Sequence, residues 1–172
     1  MRFAITLLLL HFFFIEFVYP NSYYVSSTGN NANPGTLALP WKTITHAASI
    51  ADAGDIVFVK AGLYNENVVL SRSGISGKPI TFQGYKSTPG DDPPLLVNNG
   101  DPYKAYDNSD MPTFDGGNRS HGIGFNCRNQ RFLIIKNFQI QNYAYGLIAG
   151  GVSGMDGNNV IYNVNIRSAG DI

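Results

Sequence analysis

Gly54-Asp55-Ile56-Val57-Phe58-Val59-Lys60-Ala61-Gly62-Leu63-Tyr64-Asn65-Glu66 is the stretch whose reading decides the fold. Ile56 to Val59 form a continuous β-branched and aromatic run, closed by Ala61-Gly62. Such a run predicts a strand covered on both faces. Just upstream, Ile44, Ala47, Ala48 and Ala51 recur at i, i+3, i+4 and i+7 and make one apolar stripe. With Thr43 as N-cap and Gly54 as the stop, this predicts a helix over 43–53 that runs directly into the strand. A stripe built mainly of alanine approaches a flat β surface closely. His46 lies off the stripe and is expected in solvent, and Asp55 and Glu66 read as turn residues.

Outward from this stretch the chain repeats. Tyr23-Tyr24-Val25-Ser26 reads as a strand before the helix, and Val68-Val69-Leu70 and Ile80-Thr81-Phe82 as strands after it. Ile56 and Phe58 are followed by Ile80 and Phe82, and glycines recur at 122, 146 and 170, a spacing of about 24 residues. Ile135-Lys136-Asn137-Phe138-Gln139-Ile140 matches Ile161-Tyr162-Asn163-Val164-Asn165-Ile166 at a slightly longer spacing. A period of this length with short β runs and no second helical stripe predicts a β solenoid rather than a helical repeat. Gly84, Asn137 and Asn163 fall at equivalent points between one short strand and the next. Glycine and asparagine enter the left-handed region at least cost. Stacked asparagines at such a bend can hydrogen-bond from one coil to the next. The expected fold is therefore all-β: a parallel β-helix with coils of about 24 residues.

The segment 86–112 breaks the rhythm. It is rich in proline, and six of the twelve acidic residues fall between Asp91 and Asp115. It predicts a protruding loop, after which Thr113-Phe114-Asp115-Gly116 resumes the coil. The first twenty residues read as a secretory signal, with Arg2 ahead of an apolar run from Phe3 to Ile15. The remainder, 21–172, reads as the N-terminal part of a β-helix domain, with further coils expected after Ile172. The protein is expected to be secreted, extracellular or at the cell surface, and monomeric. Formal charge is zero, with 12 basic and 12 acidic residues, which argues against a nucleic-acid partner. The one cysteine, Cys127, excludes an intrachain disulfide and reads as a packed thiol rather than a nucleophile.

Gly35, Pro40, Lys42-Thr43-Ile44, Ala47-Ala48, Ala53-Gly54-Asp55, Val57, Val59, Gly62, Tyr64 and Glu66 carry a resemblance. This pattern resembles the N-terminal entry of right-handed parallel β-helix proteins of the pectate lyase-like (pectin lyase fold) superfamily. The resemblance implies that the helix is a lid over the first coil. It also implies a polysaccharide partner and, first, a lyase that cleaves uronic-acid-containing glycans by β-elimination. A glycoside hydrolase of the same fold and a non-catalytic glycan-binding or cell-surface module are the alternatives. Lyases of this kind use aspartate-bound calcium to neutralise the sugar carboxylate and a Lys or Arg base to remove the C5 proton. Neither that constellation nor the clustered carboxylates of a hydrolase is evident in the sequence. On the resemblance, Lys136, Arg128 and His121 are the candidate catalytic groups and Tyr145 and Asp171 the candidate substrate contacts. Asp107, Asp110 and Asp171 are the candidate calcium ligands. Tyr103, Tyr106 and Tyr143 join Tyr145 as aromatics able to stack on sugar rings if exposed. Asn118-Arg119-Ser120 forms a glycosylation sequon, meaningful in a eukaryotic source.

Overall fold

The structure is a computed structural model and describes residues 20–93, 108–117, 122–149 and 157–167. The expected signal, the sequon, His121, Asp107, Asp171, Tyr103 and Tyr106 lie outside the described residues, as does most of the loop read over 86–112.

The described chain is mostly β, with one short helix. In order, the elements are β1 (Ser22–Val25), α1 (Ile44–Ile50), β2 (Ile56–Lys60), β3 (Gly62–Tyr64), β4 (Val68–Val69) and β5 (Ile80–Tyr85). They are followed by β6 (Pro112–Asp115), β7 (Ile123–Asn126), β8 (Leu133–Gln141), β9 (Tyr145–Ile148) and β10 (Val160–Arg167). Every strand pairing is parallel. A seven-stranded sheet runs β1-β2-β5-β8-β6-β3, with β10 also paired to β8, and a three-stranded sheet runs β4-β7-β9. The long strand β8 explains how the larger sheet curls. Its first half, Leu133 to Lys136, pairs with β5, and its second half, Gln139 to Gln141, pairs with β6. Between the halves, Asn137 sits at φ 64, in the left-handed region, and turns the strand through a corner.

At that corner the register aligns Val25 with Val59 and Val59 with Gly84, so that Gly84, Asn137 and Asn163 stack in adjacent strands. Asn163 also has positive φ, at 50, and its amide donates to the Asn137 side-chain oxygen at 2.8 Å. The Asn137 amide in turn donates to the Gly84 carbonyl at 3.2 Å. The expected amide ladder is therefore present, with one correction. Gly84 is not left-handed. It is required by close approach, because a Cβ there would lie 1.9 Å from the Asn137 carbonyl oxygen.

The spacing also needs correction. The register sets Ile56 against Thr81 and Phe58 against Gln83, one residue beyond the partners read from the sequence. In the smaller sheet Ile123 faces Tyr145, a step of 22, so Gly122 and Gly146 are not equivalent. Ile135 against Ile161 is as expected. Matching residue types misplaced the register because several neighbouring positions are apolar. A one-residue slip leaves such a pattern almost unchanged.

The core lies inside the curl. Phe82, Phe114, Phe125 and Phe138 come from four strands of both sheets and meet with ring centres 5.3–5.9 Å apart. All four are fully buried, each side chain contributing roughly 1.5–3 kcal/mol of burial. In β2, Val57 and Val59 point into this core whereas Ile56 and Phe58 are only half-buried. The deciding run is thus covered on one face, not two. Its outer face is an aromatic surface, with Phe58 stacked on Tyr24 at 5.5 Å.

Helix α1 is shorter than expected, running over Ile44–Ile50 with Ala51 as its C-cap rather than over 43–53. Thr43 caps it as read, accepting the His46 N–H, and Ile44, Ala47 and Ala48 bury in the core. His46 is not free in solvent: it is half-buried, with its ring edge-on to Trp41 at 4.9 Å. Asp55 and Glu66 are more than turn residues. Asp55 is buried and accepts the Asn21 and Asp52 N–H groups at 2.8 and 2.9 Å. Glu66 reaches back 22 residues to accept the Ile44 and Thr45 N–H groups at 3.0 and 2.9 Å, which satisfies the open first turn of α1.

Cys127 is fully buried, and burial pushes its thiol up to about 12. A thiol-specific reagent at pH 8 is therefore expected to leave the native protein unlabelled and to label it fully in denaturant. Rapid labelling without denaturant would contradict this burial.

Candidate functional site

An open pocket of about 200 Å³ lies where the ends of β3 and β6 meet the start of the β4-β7-β9 sheet. Asn65, Glu66 and Asn67 form one wall, Asp115 and Gly116 another, and Gly122 and Tyr143 close it. The Asn65 amide donates to the Asp115 carbonyl at 2.9 Å, and the Asn67 side-chain oxygen accepts the Ile123 N–H at 3.2 Å. Gly122 is required twice over: its φ is 87, and a Cβ would come within 2.5 Å of the Asn67 oxygen. The Tyr143 hydroxyl donates to the Glu66 carbonyl. Burial pushes the Tyr143 phenol up to about 12, so it is a fixed donor and not a base.

Asp115 is held by Gln141 Nε2 at 3.0 Å, Asn142 Nδ2 at 2.9 Å and the Gly117 N–H at 2.8 Å. Burial works to raise its carboxyl, but the hydrogen bonds from Asn142, Gly117 and Gln141 outweigh it and hold the group below its ordinary value. Beside the pocket stands Tyr145, 63% exposed, whose N–H donates to the Gly122 carbonyl at 3.2 Å. Sheet pairing thus ties the exposed Tyr145 through its backbone to a residue of the recess.

A second polar group lies on the larger sheet. The Lys136 ammonium is 3.6 Å from the Asp92 carboxylate, which also accepts the Asn137 amide at 3.0 Å. That amide and the Lys136 charge hold the Asp92 carboxyl below its ordinary value. Burial works to raise Asp91, and the Ser87, Thr88 and Lys86 N–H groups reverse it, leaving its carboxyl lowered too. The Pro93 carbonyl accepts the Asn163 amide at 2.9 Å, so residues 86–93 strap the ladder. A carboxylate with a depressed folded value contributes stability that is complete above its unfolded value near 4 and is lost as pH falls through the folded one. The urea midpoint is accordingly expected to fall steadily below about pH 4, and Asp115→Asn or Asp91→Asn should flatten that slope. An unchanged slope in both variants would contradict these assignments.

A family model described as Pel9A-like, right handed beta helix region, matches residues 23–172. The chain belongs to this family. A curated relative, the uncharacterized protein YwoF of Bacillus subtilis (strain 168), is 42% identical over 64 residues, covering 37% of this chain and 14% of that protein. Among solved structures, the GH136 lacto-N-biosidase of Eubacterium ramulus aligns with TM-score 0.52 at 20% identity. The alignment covers 85% of this chain and 27% of the enzyme, and the likeness is one of fold. A rhamnogalacturonan lyase aligns with TM-score 0.46 at 21% identity, over 70% of this chain and 28% of that one.

Within the Pel9A-like frame, the sequence-predicted site residues do not converge. Tyr145 flanks the pocket. Arg128 is exposed beyond the far end of β7, where its N–H bonds Asn126. Lys136 is on the other sheet and is paired with Asp92, not free in solvent. Asp110 is ion-paired with Lys86. Tyr143 is buried and presents no open face to a sugar. Sequence reasoning missed Asn65, Asn67 and Asp115 as a group, because 50 residues separate the Asn65–Asp115 partners and no local pattern marks them.

The Asp91 and Asp115 carboxylates do not fit calcium. Among the described residues, no three His, Cys, Asp or Glu side chains are grouped as metal ligands. Both oxygens of Asp91 and of Asp115 accept N–H donors, which supply positive charge where a cation would sit. A hard cation requires oxygen ligands in its place.

Proposed function

We propose that this chain forms glycan-contacting coils of an exported polysaccharide-acting β-helix protein, of the lyase type that its resemblance implies. The observation that carries the reading is the polar pocket flanked by exposed Tyr145 in a chain of the Pel9A-like family. Amides and carboxylates at fixed positions match sugar hydroxyls, and an exposed tyrosine ring matches a sugar's apolar face. On this reading the strands continue as a full solenoid of stacked coils, with α1 as the lid over the first. Any calcium is held by carboxylates outside the described residues. The chain spans 14% of its curated relative and 27–28% of the two solved structures, so the activity is proposed for the whole protein.

The Asp115 carboxylate is held by the Gln141 and Asn142 amides, and Lys136 is paired with Asp92. That favours assigning these coils to binding, with bond cleavage served by other residues. Incubating full-length protein with polygalacturonate and other uronic polymers in the presence of calcium, and following ultraviolet absorbance of unsaturated products, tests the lyase assignment. Accumulating absorbance supports it. No product on any uronic polymer, with glycan binding retained, overturns it in favour of a hydrolase or a binding module.

A further inference from the structure

We infer that Lys136, Asn137 and Tyr162 form a second sugar site, for a uronate, on the outer face of the larger sheet, and that the Asp92 carboxylate stands in it where the sugar's carboxylate would; this rests on the glycan-contacting reading above. In β8 Ile135 is buried in the core, so its neighbour Lys136 points to the outer face, where it is half-buried. Parallel pairing sets Lys136 directly opposite Tyr162 of β10, on the same face and one strand spacing of about 4.8 Å away. Tyr162 is 61% exposed. A cation and an open aromatic ring therefore stand side by side, the first suited to a carboxylate and the second to the apolar face of the sugar that carries it.

Asp92 demonstrates that a carboxylate fits there. It comes from the strap 86–93 and not from the sheet, and its Oδ1 accepts the Asn137 amide at 3.0 Å and lies 3.6 Å from the Lys136 ammonium. The amide is a fixed donor, because Asn137 is fully buried at the corner of β8. Together the amide and the ammonium hold the Asp92 carboxyl below its ordinary value, so the position favours an ionised group. Yet the Asp92 side chain is 63% exposed, and an ion pair at that exposure contributes little to stability. A ligand carboxylate can replace it at small cost and brings a ring for Tyr162, which Asp92 cannot. The ladder survives the exchange, since the Asn137 amide also donates to the Gly84 carbonyl, and the strap stays tied through the Pro93 carbonyl. Asp92 is thus an internal competitor that restrains binding at this site.

The test is isothermal titration calorimetry of full-length protein with trigalacturonate and with its neutral counterpart galactotriose, EDTA being present throughout. Asp92→Ala vacates the site and is expected to bind trigalacturonate about fivefold more tightly than wild type, a gain that misfolding does not produce. Asp52→Ala removes an equal charge from another exposed side chain, one paired with Arg72, and should leave the affinity unchanged. Lys136→Met and Tyr162→Ala should each weaken trigalacturonate binding severalfold, and Lys136→Met should cancel the gain from Asp92→Ala. Galactotriose affinity should respond to neither Asp92→Ala nor Lys136→Met. Trigalacturonate affinity that is the same in wild type, Asp92→Ala and Lys136→Met would overturn the site and leave the glycan-contacting reading intact. So would galactotriose binding with no trigalacturonate binding even in Asp92→Ala. Binding of neither sugar to any variant would remove both.

Discussion

Gly84→Ala is expected to lower stability by about 3 kcal/mol, at the upper end of what overpacking does. The added methyl would lie 1.9 Å from the Asn137 carbonyl oxygen and 2.6 Å from the Pro112 ring. Neither neighbour can yield. Asn137 is held in the corner of β8 by side-chain bonds on both sides, and Pro112 opens β6, which pairs with the far half of the same strand. Relief would require β5 and β8 to separate, and with them the sheet that surrounds Phe82 and Phe138. Because whole-domain stability is about 5–15 kcal/mol, the loss should appear as a large drop in the urea midpoint at an unchanged slope. A midpoint within error of wild type would mean that the strands do not approach as described.

Asn137→Ala is the second large effect, also about 3 kcal/mol. Roughly 1 kcal/mol comes from placing alanine at φ 64. Another ~2 kcal/mol comes from leaving the Gly84 carbonyl and the Asn163 amide without their partner inside the protein. Asn137→Gly separates the two contributions, because glycine tolerates the backbone but cannot supply the amide. It should recover about 1 kcal/mol relative to alanine. Equal stability of the alanine and glycine variants would show that the left-handed backbone is not a source of cost. Gly84→Ala and Asn137→Ala should not add, since both act on the same contact.

The ladder is also where the sequence was most informative. Asparagine recurring between two β runs at 137 and 163 carries both a backbone preference and an amide that stacks, so two independent signals agreed. The helix was legible from its stripe and N-cap. Its end was not, because alanines continue to Ala51 and Ala53 while the hydrogen-bonded turn stops earlier. The two-sided reading of β2 failed for a related reason. Half-buried Ile56 and Phe58 are covered by neighbours such as Tyr24, and hydropathy alone does not distinguish that from a core contact.

The pocket was illegible for a topological reason. Asn65, Asp115, Gly122 and Tyr143 are brought together by successive passes of the chain, and each sits in an ordinary polar or turn context. The candidates that the resemblance implies, Lys136 and Arg128, lie on different sheets, Lys136 in β8 of the larger and Arg128 just beyond β7 of the smaller. Glu66 reads as a loop acid until the first turn of α1 is seen to start on it.

The most direct test of a glycan-contacting pocket is amide hydrogen exchange of full-length protein with and without a saturating bound oligosaccharide. Protection is expected to concentrate at residues 65–67, 115–117, 122–124 and 143–146, around the pocket and Tyr145. Protection confined to the outer face of the larger sheet, around Lys136 and Tyr162, with none at the pocket, would contradict the account.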